Sequence, residues 1–114
     1  MSASDPRSDE ELIRDHVAGD REAFGELVRR HERRAYALAL RMTAREEDAR
    51  DAAQDAFIAV LRHAGTFRGD ARFSTWFHRI VVNACYDILR RRDRVPLTLV
   101  EDAPGGTPSR PQTV

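Results

Sequence analysis

Two groups of side chains have the types and spacing for recognition chemistry. The first lies in "FRGDARFSTWFHRIVVNACYDILRRRDR", Phe67 to Arg94, where Phe67 and Phe73 bracket Arg68, Gly69, Asp70 and Arg72. Basic donors, an acceptor carboxylate and aromatic faces in so short a span can stack and hydrogen-bond an extruded base. The same two phenylalanines can equally be plugs that close a core. Further on, Arg79, Asn83, Tyr86 and Arg90 recur at steps of four, three and four, with Thr75 one turn earlier. On a helix these residues make one stripe, and the Asn83 amide carries both donors and acceptors to offer a base edge. The second group is Asp48, Asp51 and Asp55 with Gln54 beside them. At helical spacing they share one solvent face. Such a face is either a solvated surface favoured by the helix dipole or a strip that grips the guanidinium groups of a partner.

Other chemistries find little support. His16, His31, His63 and His78 fall in different segments without paired ligand spacing, and the single Cys85 has no companion, so a zinc site is not expected. His31 falls on an apolar face and reads as a hydrogen-bonded core histidine. No nucleophile stands beside a base; no catalytic residue, metal or cofactor is expected. A lone cysteine fits a reducing cytoplasm. No apolar run reaches the length of a membrane span, and the opening "MSASDPRSDEE" is acidic.

Elements that would position these groups can be read from caps and periodicity. Ser8-Asp9-Glu10-Glu11 is a capping box that opens a short helix carrying Leu12, Ile13 and Val17 and stopping near Gly19. Asp20 is placed to cap a long amphipathic helix with Phe24, Leu27, Val28, His31, Ala35, Leu38 and Met42 on its apolar face. Thr43-Ala44-Arg45-Glu46 reads as a second capping box, followed by a stripe of Ala49, Ala52, Ala53, Ala56, Phe57, Val60 and Leu61. Gly65 ends that helix, a loop runs to Phe73, and Ser74 is expected to cap the last helix, whose inner face is Trp76, Phe77, Ile80, Val81, Ala84, Ile88 and Leu89. The predicted fold is all-α: a compact bundle of three main helices plus a short N-terminal helix, with a loop before the last helix. Residues 1–7 read as a disordered N-terminus, 8–94 as the helical domain and 95–114 as a linker or disordered tail.

Net charge is zero, but acids dominate Ser8–Asp20 and Thr43–Asp55, while arginines dominate Arg62–Arg94. A neutral total conceals a dipolar chain with two surfaces for two kinds of partner.

Three blocks together resemble the second conserved region of bacterial sigma factors, in the extracytoplasmic-function (ECF) group of the sigma-70 family. They are "AFGELVRRHERRAYALALRMT", "EEDARDAAQDAFIAVLRH" with Asp48, Ala49, Asp51, Ala52, Gln54, Asp55 and Phe57 at the family's positions, and the arginine-aromatic stretch from Phe67. The resemblance covers roughly Asp9 to Arg94. It implies a non-enzymatic transcription initiation domain that binds core RNA polymerase and recognises and helps melt the promoter minus-ten element. By the resemblance, Asp48, Asp51, Gln54 and Asp55 dock on the clamp coiled coil of the largest polymerase subunit. The loop Phe67–Phe73, with Phe67, Arg68, Gly69, Asp70 and Arg72, matches the segment that captures a flipped base of the non-template strand. Arg79 and Asn83, with Tyr86 and Arg90 further along, fall where the promoter-reading helix faces DNA, and Ser74 and Thr75 are counted among the DNA-binding residues. Housekeeping relatives hold a wedging tryptophan pair where this chain has Arg79 and Ile80, which implies weaker melting and stricter dependence on promoter sequence. An anti-sigma factor is a further implied partner, and the location implied is the cytoplasm without membrane insertion. The family joins this region by a linker to a second helical domain. "PGGTPSRPQTV" has the character of that linker, and full promoter recognition by this chain alone is not expected. The alternative is a helical module that binds polymerase or an anti-sigma factor without reading DNA.

Overall fold

The computed structural model describes residues 5–101, with side-chain surroundings for residues 5–93. They form α1 (Asp9–Val17), α2 (Ala23–Thr43), α3 (Glu46–His63) and α4 (Phe73–Glu101), with a 3-10 turn at Ala64–Thr66 after α3. The all-α bundle of three main helices and a short leading one is as the periodicity predicts. The ends differ from expectation. Asp5 and Arg7 are pinned to the bundle rather than loose: Arg7 pairs with Asp5, Asp15 and Asp20 at 2.7–2.8 Å, and Arg30 donates to the Asp5 carbonyl at 2.7 Å. At the other end α4 continues through Pro96 to Glu101, past the expected boundary at Arg94. An interior proline removes one amide donor and crowds the carbonyl four residues back, which makes a stop the reasonable expectation; the fixed φ of proline alone is compatible with a helix. Residues 1–4 and 102–114, parts of the expected tails, lie outside the described residues.

The capping box at Ser8 forms in both directions, with Ser8 Oγ accepting from Glu11 N at 3.0 Å and Glu11 Oε1 accepting from Ser8 N at 2.8 Å. The stop at Gly19 also forms, with φ +114, a conformation that a side chain would strain. Asp20 is not the expected cap: the N-cap residue of α2 is Glu22, two residues on, and Asp20 Oδ1 accepts from Glu22 N at 2.9 Å. The expected capping box at Thr43 does not form. α2 runs through Thr43, whose buried hydroxyl donates back to the Ala39 carbonyl at 2.9 Å. Ala44 turns the chain in the left-handed region (φ 64), and α3 begins after an extended Arg45 with no side-chain cap. A threonine can satisfy its hydroxyl on the preceding turn as well as on the next helix, and here burial decides for the former.

The core is assembled from Leu12 and Ile13 of α1, Leu27, Ala35 and Ala39 of α2, Ala49, Ala52, Ala56 and Val60 of α3, and Phe73, Phe77, Val81, Cys85 and Ile88 of α4. Each fully buried Leu, Ile, Val or Phe contributes about 1.5–3 kcal/mol. The alanines of α2 and α3 carry little bulk between these two helices, which lets them approach closely. Val17 and Leu61, expected on the apolar faces, are instead 54% and 47% exposed. Val17 lies in the last turn of a nine-residue helix, and the inward position beside Leu61 is taken by Val60.

Candidate functional site

The acidic strip belongs to the first half of α3. Asp51, Gln54 and Asp55 are exposed, but Asp48 is not on the same open face. Its side chain is 22% exposed and pairs with Arg92 of α4 at 2.5 Å. The same guanidinium nitrogen donates to the Thr43 carbonyl at 3.1 Å. Asp55 lies 3.8 Å from Arg91 and is 50% exposed. Partial burial pushes its carboxyl up from the ordinary range; Arg91 works against this, while Asp51 and Asp87 add to it. The arrangement follows from antiparallel packing: Phe57 meets Phe77 at 4.9 Å while the start of α3 meets the basic end of α4. The expectation of one solvent face for all three aspartates is corrected for Asp48, because a helix beyond the local sequence covers it.

The arginine-aromatic loop divides into a buried base and an exposed tip. Phe73 is fully buried, stacks on Phe77 at 5.7 Å and packs on His31 at 5.2 Å. It is therefore a core plug. Phe67 is half-buried and sits 5.0 Å from Trp76 and 6.1 Å from Phe73. Trp76 is also half-buried, at the rim where loop and core meet. Arg68, Gly69, Asp70, Ala71 and Arg72 are exposed, with Gly69 at φ +83 making the turn.

Between this tip and α1 lies a cleft of about 380 Å³ lined by Asp9, Glu10, Gly69, Asp70, Ala71, Arg72 and Ser74. Ser74 does not cap α4 as expected, since the helix already includes Phe73. The first amide, Phe73 N, instead donates to Glu10 Oε2 at 2.6 Å, across 63 residues of sequence. Arg72 supplies only its carbonyl to this first turn, to Thr75 N and Trp76 N at 3.1 Å. Asp9 is held by Arg30 at 3.0 Å and by His31 Nε2 at 2.9 Å. Asp9 and Glu10 were not singled out from the sequence beyond their place inside a capping box. Their role depends on a long-range contact that no local pattern carries.

From the cleft, α4 presents Thr75, Arg79, Asn83, Tyr86 and Arg90, all exposed. Tyr86 is 50% exposed, one of four large hydrophobic side chains left open among the described residues. Arg90 pairs with Asp87 within the same helix. His31 is buried in the core, hydrogen-bonded as expected. Cys85 is a free buried thiol whose pKa burial pushes up. Among the described residues no group of His, Cys, Asp and Glu is placed to hold a metal ion, and no helix is long and apolar enough to cross a membrane.

The bundle is that of a sigma region-two domain. It matches the NMR structure of an engineered region 2 of sigmaE in complex with GTAAAA with a TM-score of 0.73 at 33% identity, covering 81% of this chain and 96% of that one. It also matches CnrH, solved in complex with the cytosolic domain of CnrY, with a TM-score of 0.63 at 34% identity over 83% of this chain and 62% of that one. Residues 27–95 match the family Sigma-70 region 2, and the chain belongs to that family, in its ECF group. The ECF RNA polymerase sigma factor SigM of Mycobacterium tuberculosis is 57% identical over 97 residues, covering 84% of this chain and 49% of that protein. The chain spans about half the length of the curated relatives it matches.

Proposed function

We propose that this chain is a non-enzymatic, cytoplasmic transcription initiation module that docks on core RNA polymerase and reads the promoter minus-ten element, with residues 8–94 as the working domain. The observation that carries the reading is the cleft beside the loop tip, followed along α4 by an exposed polar stripe, in a bundle whose structural relative was solved in complex with GTAAAA. A flipped base of the non-template strand enters the cleft, where Asp70 accepts and Arg72 donates, while Arg68 and the exposed part of Phe67, outside its lining, meet the base or its backbone from the loop. Ser74 and Gly69 form the wall and turn. Unstacking a base costs a few kcal/mol, and stacking returns about 1–3 kcal/mol per base. Thr75, Arg79, Asn83, Tyr86 and Arg90 follow the strand beyond it.

Asp51, Gln54 and Asp55, with Asp48, grip the arginines of the clamp coiled coil. Asp48 comes already paired with Arg92, so docking there exchanges one guanidinium for another. A neutral chain gains little from counterion release, and weak binding to free DNA is the expected behaviour until polymerase adds positive surface. Arg79 and Ile80 provide no aromatic wedge, which limits melting. An anti-sigma factor covers this domain in the resting state, a partner supported by the CnrH–CnrY structure. That same structure is what favours the second reading, a protein-binding module that does not read DNA.

Fluorescence anisotropy of labelled six-nucleotide single strands, varied from GTAAAA one position at a time, with and without core polymerase, separates the two. Base capture predicts sequence discrimination that Phe67→Ala, Asp70→Ala or Asn83→Ala each removes. Sequence-independent binding in both conditions leaves only the protein-binding module.

A further inference from the structure

The family match begins at residue 27, yet one wall of the cleft comes from α1, which lies before it. Two adjacent side chains tie that helix down. Asp9 binds Arg30 and His31 of α2, while Glu10 accepts from the first amide of α4. The exposed tip itself is held weakly: among the described residues no side-chain hydrogen bond or ion pair involves Arg68, Asp70 or Arg72. Its geometry is set at its two ends, by Phe67 N on the Ala64 carbonyl at 3.1 Å and by the Glu10 bond at 2.6 Å.

The first amides of a helix have no partner within it. Short side chains at the N-cap usually supply one, but Arg72 occupies that place and carries no acceptor. A carboxylate is the strongest replacement, since it also meets the positive end of the helix dipole. We propose that Glu10 is a positioning residue for base capture: it fixes the loop–α4 junction so that Arg68, Asp70 and Arg72 meet the flipped base in one geometry. This rests on the base-capture reading of the cleft. Glu10 acts through the Phe73 amide.

The test uses the full 114-residue chain with core polymerase and the same labelled strands. Glu10→Ala is expected to lower the ratio of preferred to non-preferred strand affinity about tenfold, with affinity for the isolated clamp coiled coil unchanged. Glu10→Gln keeps a neutral acceptor and is expected to recover most of that ratio. Hydrogen exchange at the Phe73 amide should be faster in Glu10→Ala than in wild type or Glu10→Gln. A wild-type ratio in Glu10→Ala, or equal loss in Glu10→Ala and Glu10→Gln, overturns the proposal while leaving base capture intact. Absence of discrimination in the wild-type arm overturns both, and is told apart because it appears before any substitution.

Discussion

The acidic strip and the loop cleft reach precision by different means. The strip is built on a helix: backbone hydrogen bonds set its spacing, alanines seat it against α2, and Arg92 and Arg91 of α4 already stand opposite two of its carboxylates. The cleft is built on a loop whose tip is exposed and whose shape depends on a buried phenylalanine and one carboxylate from the far end of the chain. A partner that presents a fixed helix pair needs only a fixed face. A single-stranded base, which approaches in many conformations, needs a site that can be tuned without disturbing the bundle.

The contrast can be broken most forcefully at the loop base. Phe73→Ala should destabilise the chain by about 3–5 kcal/mol, read by urea unfolding, because it empties the core where four other rings converge. At the strip, Asp48→Ala should cost about 1 kcal/mol, as a half-covered ion pair is lost. Asp51→Ala, with no such partner among the described residues, should stay within about 0.5 kcal/mol in the same assay while weakening attachment to the clamp coiled coil. Equal destabilisation by the two would remove the distinction between a pre-paired and an open carboxylate. Ala44→Gly should gain about 0.5–1 kcal/mol in thermal unfolding, since φ 64 strains alanine at the turn into α3.

The smallest effect is in acid. Arg7 donates to Asp5 and holds its carboxyl at about 2, below the ordinary 3.8. A depressed folded-state pKa adds stability above pH 3.8 that is lost as pH falls through about 2. Carboxyl NMR titration should find the Asp5 midpoint near the lower value, and Arg7→Ala should return it to the ordinary range.

Helix existence and inner faces were legible because burial imposes a period: Leu27, His31 and Ala35 on α2, and Ala49, Ala52, Ala56 and Val60 on α3, fall where the pattern puts them. The capping box at Ser8 was legible because its partners are three residues apart. Thr43 and Ser74 were misread for a shared reason. Each carries a polar group suited to a local cap, but the backbone found another solution, at Ala44 in one case and at Glu10 in the other. The exposed tip and the α4 stripe could be named from residue type and spacing. The wall of the cleft contributed by α1, and the Arg92–Asp48 pair, join segments 63 and 44 residues apart, and no window of sequence contains both partners.

Phe73 and Arg72 are neighbours in the chain, yet one is sealed in the interior and the other faces water. A single peptide link thus divides what folding demands from what the proposed nucleic-acid ligand would meet. Lineages descended from such a chain can exchange residues 68 and 70–72 around the Gly69 turn with little penalty in foldability. Diversity among them should gather on the outer side of that link, and constancy on the inner.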